Sequence, residues 1–156
     1  MSTTSDLANL LGHHAVLDDE PAGARRRLST RLEHRGRAVI VRTDGEVDAY
    51  TLPTWRRLLR EAAATVRSGL LIVDTTGLDF MGYRGYVALA EESARCRHRG
   101  VQLRMVADRP VVARLLAAAG LSAELPIHAD TDQALAQPEA EVNRSRAIWS
   151  DTGRSA

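Results

Sequence analysis

Lysine is missing from this chain: all 21 of its basic residues are arginine. Chemistry that needs a side-chain amine is therefore excluded, including the lysine of a phosphate-binding P-loop and Schiff-base catalysis. Arginine codons in place of lysine codons are what a GC-rich genome produces. Cysteine is limited to Cys96, so no internal disulfide forms, which fits a reducing cytosol. With one cysteine and the histidines His13, His14, His34, His98 and His128, of which only the first two are adjacent, a zinc site is not expected. Long apolar runs are also lacking. None approaches the ~18–20 residues of a membrane span, and no basic-then-apolar leader opens the chain. Twenty acidic residues leave a formal net charge of +1, so no global field draws in nucleic acid or a membrane. These absences predict a cytoplasmic protein with no cofactor, no metal, no direct nucleic-acid partner and no membrane insertion.

What is present reads as one domain between two polar ends. Residues 1–24 read as a flexible arm, 25–137 as the folded domain, and 138–156 as a mobile tail. Leu28, Thr30 and Leu32 alternate with Ser29, Arg31 and Glu33, and after the Arg35-Gly36 turn a second strand follows at Ala38–Val41, giving a hairpin. Thr51 is placed to cap a helix with Pro53 in its first turn and an apolar face of Leu52, Trp55, Leu58, Leu59, Ala62 and Val66. Leu70–Val73 reads as a short central strand. A second helix is expected from about Arg84 to Arg99, with Val87, Ala90, Ala94 and Cys96 inward, Cys96 being half-buried. Val101, Leu103 and Met105 form the next strand. A third helix from Pro110 carries Val111, Val112, Leu115, Leu116 and Ala119 up to Gly120. A short edge strand at Leu125–Ile127 and a last helix at Thr131–Gln137 complete the order. The prediction is an α/β fold with a mixed four- to five-stranded sheet, an N-terminal hairpin plus parallel strands, packed with about four helices.

Two polar segments stand at strand-to-helix junctions, where binding chemistry usually sits. The first is Gly45-Glu46-Val47-Asp48, read as a turn. Its acids either meet arginines of a partner or, for Asp48, hydrogen-bond the loop before the first helix. The second is Asp74-Thr75-Thr76-Gly77, with Asp79 beyond it. A Mg²⁺ or carboxylate site there competes with structural loop capping, and capping is preferred. Arg25-Arg26-Arg27 reads as a solvated basic run, since no aromatic platform accompanies it. No nucleophile–base pair or phosphate loop is visible, so an enzyme is not expected.

The order and spacing of Gly45–Asp48, Leu71–Gly77, Arg99-Gly100 and Gly120-Leu121 resemble the STAS domain of bacterial anti-sigma factor antagonists, over Leu28 to about Gln137. The resemblance implies a binding module for a kinase-like anti-sigma factor, acting on sigma-factor-dependent transcription. In that family an aspartate and a phosphorylatable serine open the second helix. Aligned on Phe80-Met81 and Gly85, this chain has Gly82, Tyr83 and Arg84 there, with Gly85 retained. A tyrosine hydroxyl lies on the order of 4 Å further out than a serine's, while phosphoryl transfer needs reacting atoms within ~3–3.5 Å. Serine-type phosphorylation is therefore not expected, nor is the charge of about −1.5 to −2 that would eject a partner. Partner contact is expected at Glu46, Asp48, Gly82, Tyr83, Arg84 and Tyr86, tyrosine and arginine being enriched at interface hot spots; an acidic partner face would receive Arg84. The alternative is that Tyr83 folds onto the domain's own surface, as drift after loss of function. Two other roles fit the resemblance: a nucleotide- or anion-sensing domain with Arg84 as counter-charge, and an accessory subunit of a lipid-transport ATPase. A homodimer through the arm or a sheet edge is compatible with the pattern.

Overall fold

The computed structural model describes Gly23 and residues 27–136; apart from Gly23, the expected arm and tail lie outside the described residues. Strands β1 (Leu28–Arg35) and β2 (Ala38–Val47) form the hairpin. Helix α1 (Leu52–Ala64), strand β3 (Gly69–Met81) and helix α2 (Tyr83–His98) follow. Strand β4 (Val101–Val106), helix α3 (Pro110–Ala118), strand β5 (Ile127–His128) and helix α4 (Thr131–Ala136) complete the domain. The five strands lie side by side in chain order, β1 antiparallel to β2 and the remainder parallel. This is the mixed sheet that the alternation of short strands and helices predicts.

Strand periodicity divides the core between the two faces of the sheet. Val39, Val41, Leu71, Val73, Leu103 and Met105 point to the face covered by α1, α2 and α3, against Trp55, Leu59, Leu89 and Leu116. Successive right-handed crossovers in one direction put these helices on the same side. The alternate residues Ala38, Ile40, Leu70, Ile72 and Val106 gather with Ala134 of α4 on the opposite face. Arg104, fully buried there, donates to the carbonyl of Ala134 and to Gln102 Oε1 at 2.9 Å. These bonds tack the short α4 to the sheet.

Several elements depart from the sequence reading. Gly45–Val47, read as part of a turn, and Asp74–Gly77, read as a junction, lie within strands, with Asp48 just beyond β2. Gly45 pairs with Leu78, Glu46 with Phe80 and Val47 with Met81, so β2 runs on to Val47, while Asp74–Gly77 belong to a thirteen-residue β3. Register shifts between Arg42 and Asp44 and between Gly45 and Glu46 absorb the irregular residues. Parallel pairing with a neighbour overrides the local preference of Asp, Thr and Gly for turns. Gly45 is required for this: at φ 115° its absent Cβ would stand 1.9 Å from the Arg27 carbonyl oxygen.

The inward face of α2 is also rotated from expectation. Tyr86, Leu89, Ser93 and Cys96 are buried, whereas Val87 and Ala94 are half-buried. Polar residues on the inward face hide its period: Ser93 Oγ donates to the Glu124 carbonyl at 2.7 Å, and the buried Glu92 carboxylate pairs with Arg95 at 2.8 Å. Cys96, expected half-buried, is fully enclosed, and burial raises its thiol pKa. On α3 only Val112 and Leu116 are buried, leaving Val111 and Leu115 exposed.

Candidate docking edge

The candidate residues meet where β2 and β3 end. The Gly82 N–H donates to the Val47 carbonyl at 2.9 Å, binding the end of β2 to the mouth of α2. Trp55, fully buried on α1, donates its indole N–H to the Gly85 carbonyl at 3.1 Å. Gly85 has no room for a side chain, since a Cβ would lie 2.6 Å from Met81 Cγ and 2.9 Å from Val47 Cγ1. The first turn of α2 is thus pressed onto both strands, and its outer residues stand at their edge.

On the β2 side, Asp48 brackets the entry to α1. Its Oδ1 accepts the N–H groups of Tyr50 at 2.9 Å and Thr51 at 3.0 Å. The Thr51 hydroxyl, expected to cap α1, instead accepts the Asp48 N–H at 2.9 Å and donates to the Glu46 carbonyl at 2.8 Å. Thr51 makes no side-chain cap because its backbone is already helical (φ −94°, ψ −5°), which turns the hydroxyl away from the helix N–H groups. The bond from the Thr51 N–H is the chief reason the Asp48 carboxyl sits below its usual pKa, with Arg27 adding to the effect. Arg27, read as part of a solvated run, donates to Glu46 Oε2 at 2.8 Å and to Asp48 Oδ2. Its guanidinium also lies over the Tyr50 ring, 5.4 Å from the centroid.

On the α2 side, Gly82 is extended (φ −73°, ψ 164°) and serves as an N-cap with no side-chain bond; no acid occupies the first turn. Tyr83 opens the helix and is 56% exposed, with Arg84 exposed beside it. Tyr86, expected on the rim with Tyr83, is only 7% exposed. Helical side chains lean toward the N-terminus. Tyr83 therefore projects past the helix end, while Tyr86 reaches beneath it into a notch of about 40 Å³ with Leu78, Met81 and Val112. Burial raises the Tyr86 phenol pKa. Phe80, which the sequence reading used only as an alignment anchor, is 53% exposed, and its ring lies 3.7 Å from a Cβ position at Gly82.

Asp74 performs local work. Its Oδ1 accepts the N–H and hydroxyl of Thr76 at 3.0 and 2.7 Å, and its Oδ2 pairs with Arg42 at 2.9 Å. Among the described residues no group of three or more His, Cys, Asp or Glu side chains could hold a metal, and no helix is long and apolar enough to cross a membrane.

The mixed sheet carries its candidate residues at the ends of β2 and β3 and the start of α2, where Phe80, Tyr83 and Arg84 are exposed. A family model described as the STAS domain matches residues 29–134, and the chain belongs to that family. Rv2638 of Mycobacterium tuberculosis, provisionally named an anti-anti-sigma factor, is 43% identical over 77% of this chain and 92% of its own length. RsfA of the same species, named an anti-sigma-F factor antagonist, is 42% identical over 69% of this chain and 85% of its own. The fold is that of an anti-sigma factor antagonist from Mycobacterium paratuberculosis (TM-score 0.62, 24% identity, 69% of this chain and 91% of that one). It is also that of the phosphorylated Bacillus SpoIIAA (TM-score 0.52, 19% identity, 69% and 96%).

Proposed function

We propose that this protein is an anti-sigma factor antagonist that binds a kinase-like anti-sigma factor without serine phosphorylation as its release signal. The observation that carries this reading is the exposed Tyr83 at the first helical position of α2, directly after the unsubstituted N-cap Gly82. A phenol there offers a contact surface of low conformational cost. It holds no short hydroxyl at the backbone for a kinase that acts on serine. The names of Rv2638 and RsfA support the class of partner. Contact would run along the edge from Glu46 and Asp48 to Gly82, Tyr83 and Arg84, with a sigma factor released by competition. Tyr86 belongs to the support of that edge rather than to its surface.

Size-exclusion chromatography with a kinase-type anti-sigma factor, with and without Mg-ATP, tests the reading. A complex that forms and persists on incubation with ATP is expected. A complex that dissociates as ATP is consumed, or the absence of any complex, would contradict it.

A further inference from the structure

Charge is unevenly placed on the outside of the helices. Helix α1 carries three arginines and one glutamate, and no acid lies in its first turn. Arg57 and Glu61 are already engaged. Arg56 and Arg60 stand four residues apart on one exposed face, and Arg67 is exposed just beyond the helix. None of Arg56, Arg60 and Arg67 makes an ion pair among the described residues. On the neighbouring α2, Glu92 is buried against Arg95, which leaves Glu91 as one exposed carboxylate against three arginines.

The chain preceding the domain offers what this face lacks. Asp18-Asp19-Glu20 is the one run of three consecutive acids in the sequence, and Pro21-Ala22 links it to Gly23. Gly23 lies beside the start of α1. A Cβ there would be 3.9 Å from Tyr50 Oη, and Tyr50 stands two residues before Leu52. Glu20 is three residues from Gly23 and Asp18 five, so an extended chain carries them about 10 and 17 Å. Arg56 and Arg60 stand about 6 and 12 Å along α1 from Leu52, at a rise of about 1.5 Å per residue.

We infer that the N-terminal arm straps the outer face of α1, with Asp18, Asp19 and Glu20 pairing Arg56 and Arg60. A single exposed pair is weak. Three carboxylates on so short a tether meet the two arginines together, and closing the loop costs little entropy. Arg25 and Arg26 are the competing cations and serve as the control below. The strap borders the β2 half of the candidate edge, because Tyr50 belongs to the loop that Asp48 brackets. It does not rest on the proposed function.

The test follows arginine side-chain Nε–H resonances of the full chain by NMR, beside the variant carrying Asp18→Asn, Asp19→Asn and Glu20→Gln. At about 0.1 M salt, where the Debye length is about 10 Å, Arg56 and Arg60 should shift between the two proteins. At about 1 M salt, with a Debye length of about 3 Å, the difference should vanish. It should also be the same at every protein concentration, as expected of an arm that folds onto its own chain. Arg56 and Arg60 at unchanged positions in the variant would overturn the inference. So would changes confined to Arg25, Arg26 and Arg27, or a difference that grows with protein concentration. Reciprocally, Arg56→Gln with Arg60→Gln should shift the amides of residues 18–20, and unmoved amides would contradict the strap. The Trp55 indole N–H, bonded to the Gly85 carbonyl, reports an intact fold in each variant. If either variant fails that check, the other decides.

Discussion

The two halves of the candidate edge are built on opposite principles. From Gly45 to Thr51 nearly every polar group is engaged: Asp48 brackets the loop, Thr51 bridges it, and Arg27 closes it from outside. From Gly82 to Arg84 the backbone is anchored to Val47, yet the helix has no side-chain cap, no acid in its first turn and an exposed phenol. An Asp or Ser at position 82 would bond the free N–H groups, and Arg84 stands at the unfavourable end of the helix dipole. The first half closes on itself, whereas the second leaves its side chains exposed. The contrast explains how a rim can be rigid in position while its surface chemistry remains available.

The contrast can be broken most severely at the joint. Trp55→Ala removes a fully buried side chain and the hydrogen bond to the Gly85 carbonyl, so a loss of about 3–5 kcal/mol is expected in denaturant unfolding. A loss below ~1 kcal/mol would mean that α1 does not hold α2 in place. Gly45→Ala comes next. A methyl group at φ 115° would collide with the Arg27 carbonyl, which predicts roughly 1–3 kcal/mol of destabilisation and displacement of Arg27. A variant as stable as the parent would show that the end of β2 tolerates a looser path.

Asp48→Asn has a smaller effect, and its sign depends on pH. The folded-state pKa of Asp48 is depressed, so its ionised form favours the fold. That contribution is fully present above the ordinary carboxylate range of about pH 4 and is lost as pH falls through the lowered folded value. The variant should melt below the parent at neutral pH, and the two curves should converge in acid. A difference of the same size at all pH values would assign the effect to the amide's hydrogen bonding rather than to charge.

Much of this architecture is legible in the sequence, for local reasons. The hairpin, the order of strands and helices, and the apolar face of α1 follow from periodicities of two and of three to four, with Gly and Pro at the breaks. Contacts distant in sequence are the part that is not. Arg27 meets acids 19 and 21 residues away, and nothing in an Arg-Arg-Arg run announces that its last member closes an acidic loop. Asp74-Thr75-Thr76-Gly77 has the composition of a turn but the pairing of a strand, because β2 runs beside it. Tyr83 and Tyr86 look alike on paper, and the lean of helical side chains separates them into surface and support. Phe80 was within reach of inspection: a lone phenylalanine between Asp79 and the Gly82 cap, at the end of an apolar strand, is a residue with little interior left to enter.

The central claim is that the docking module lacks a phosphate-operated release, and mass spectrometry of the peptide spanning Gly82–Gly85 tests it most directly. The protein is incubated with a kinase-type anti-sigma factor and Mg-ATP, beside the variant carrying Gly82→Asp, Tyr83→Ser and Arg84→Ser together. The account predicts an unmodified peptide from the parent and a phosphorylated one from the triple variant. Phosphate on Tyr83 of the parent would contradict it.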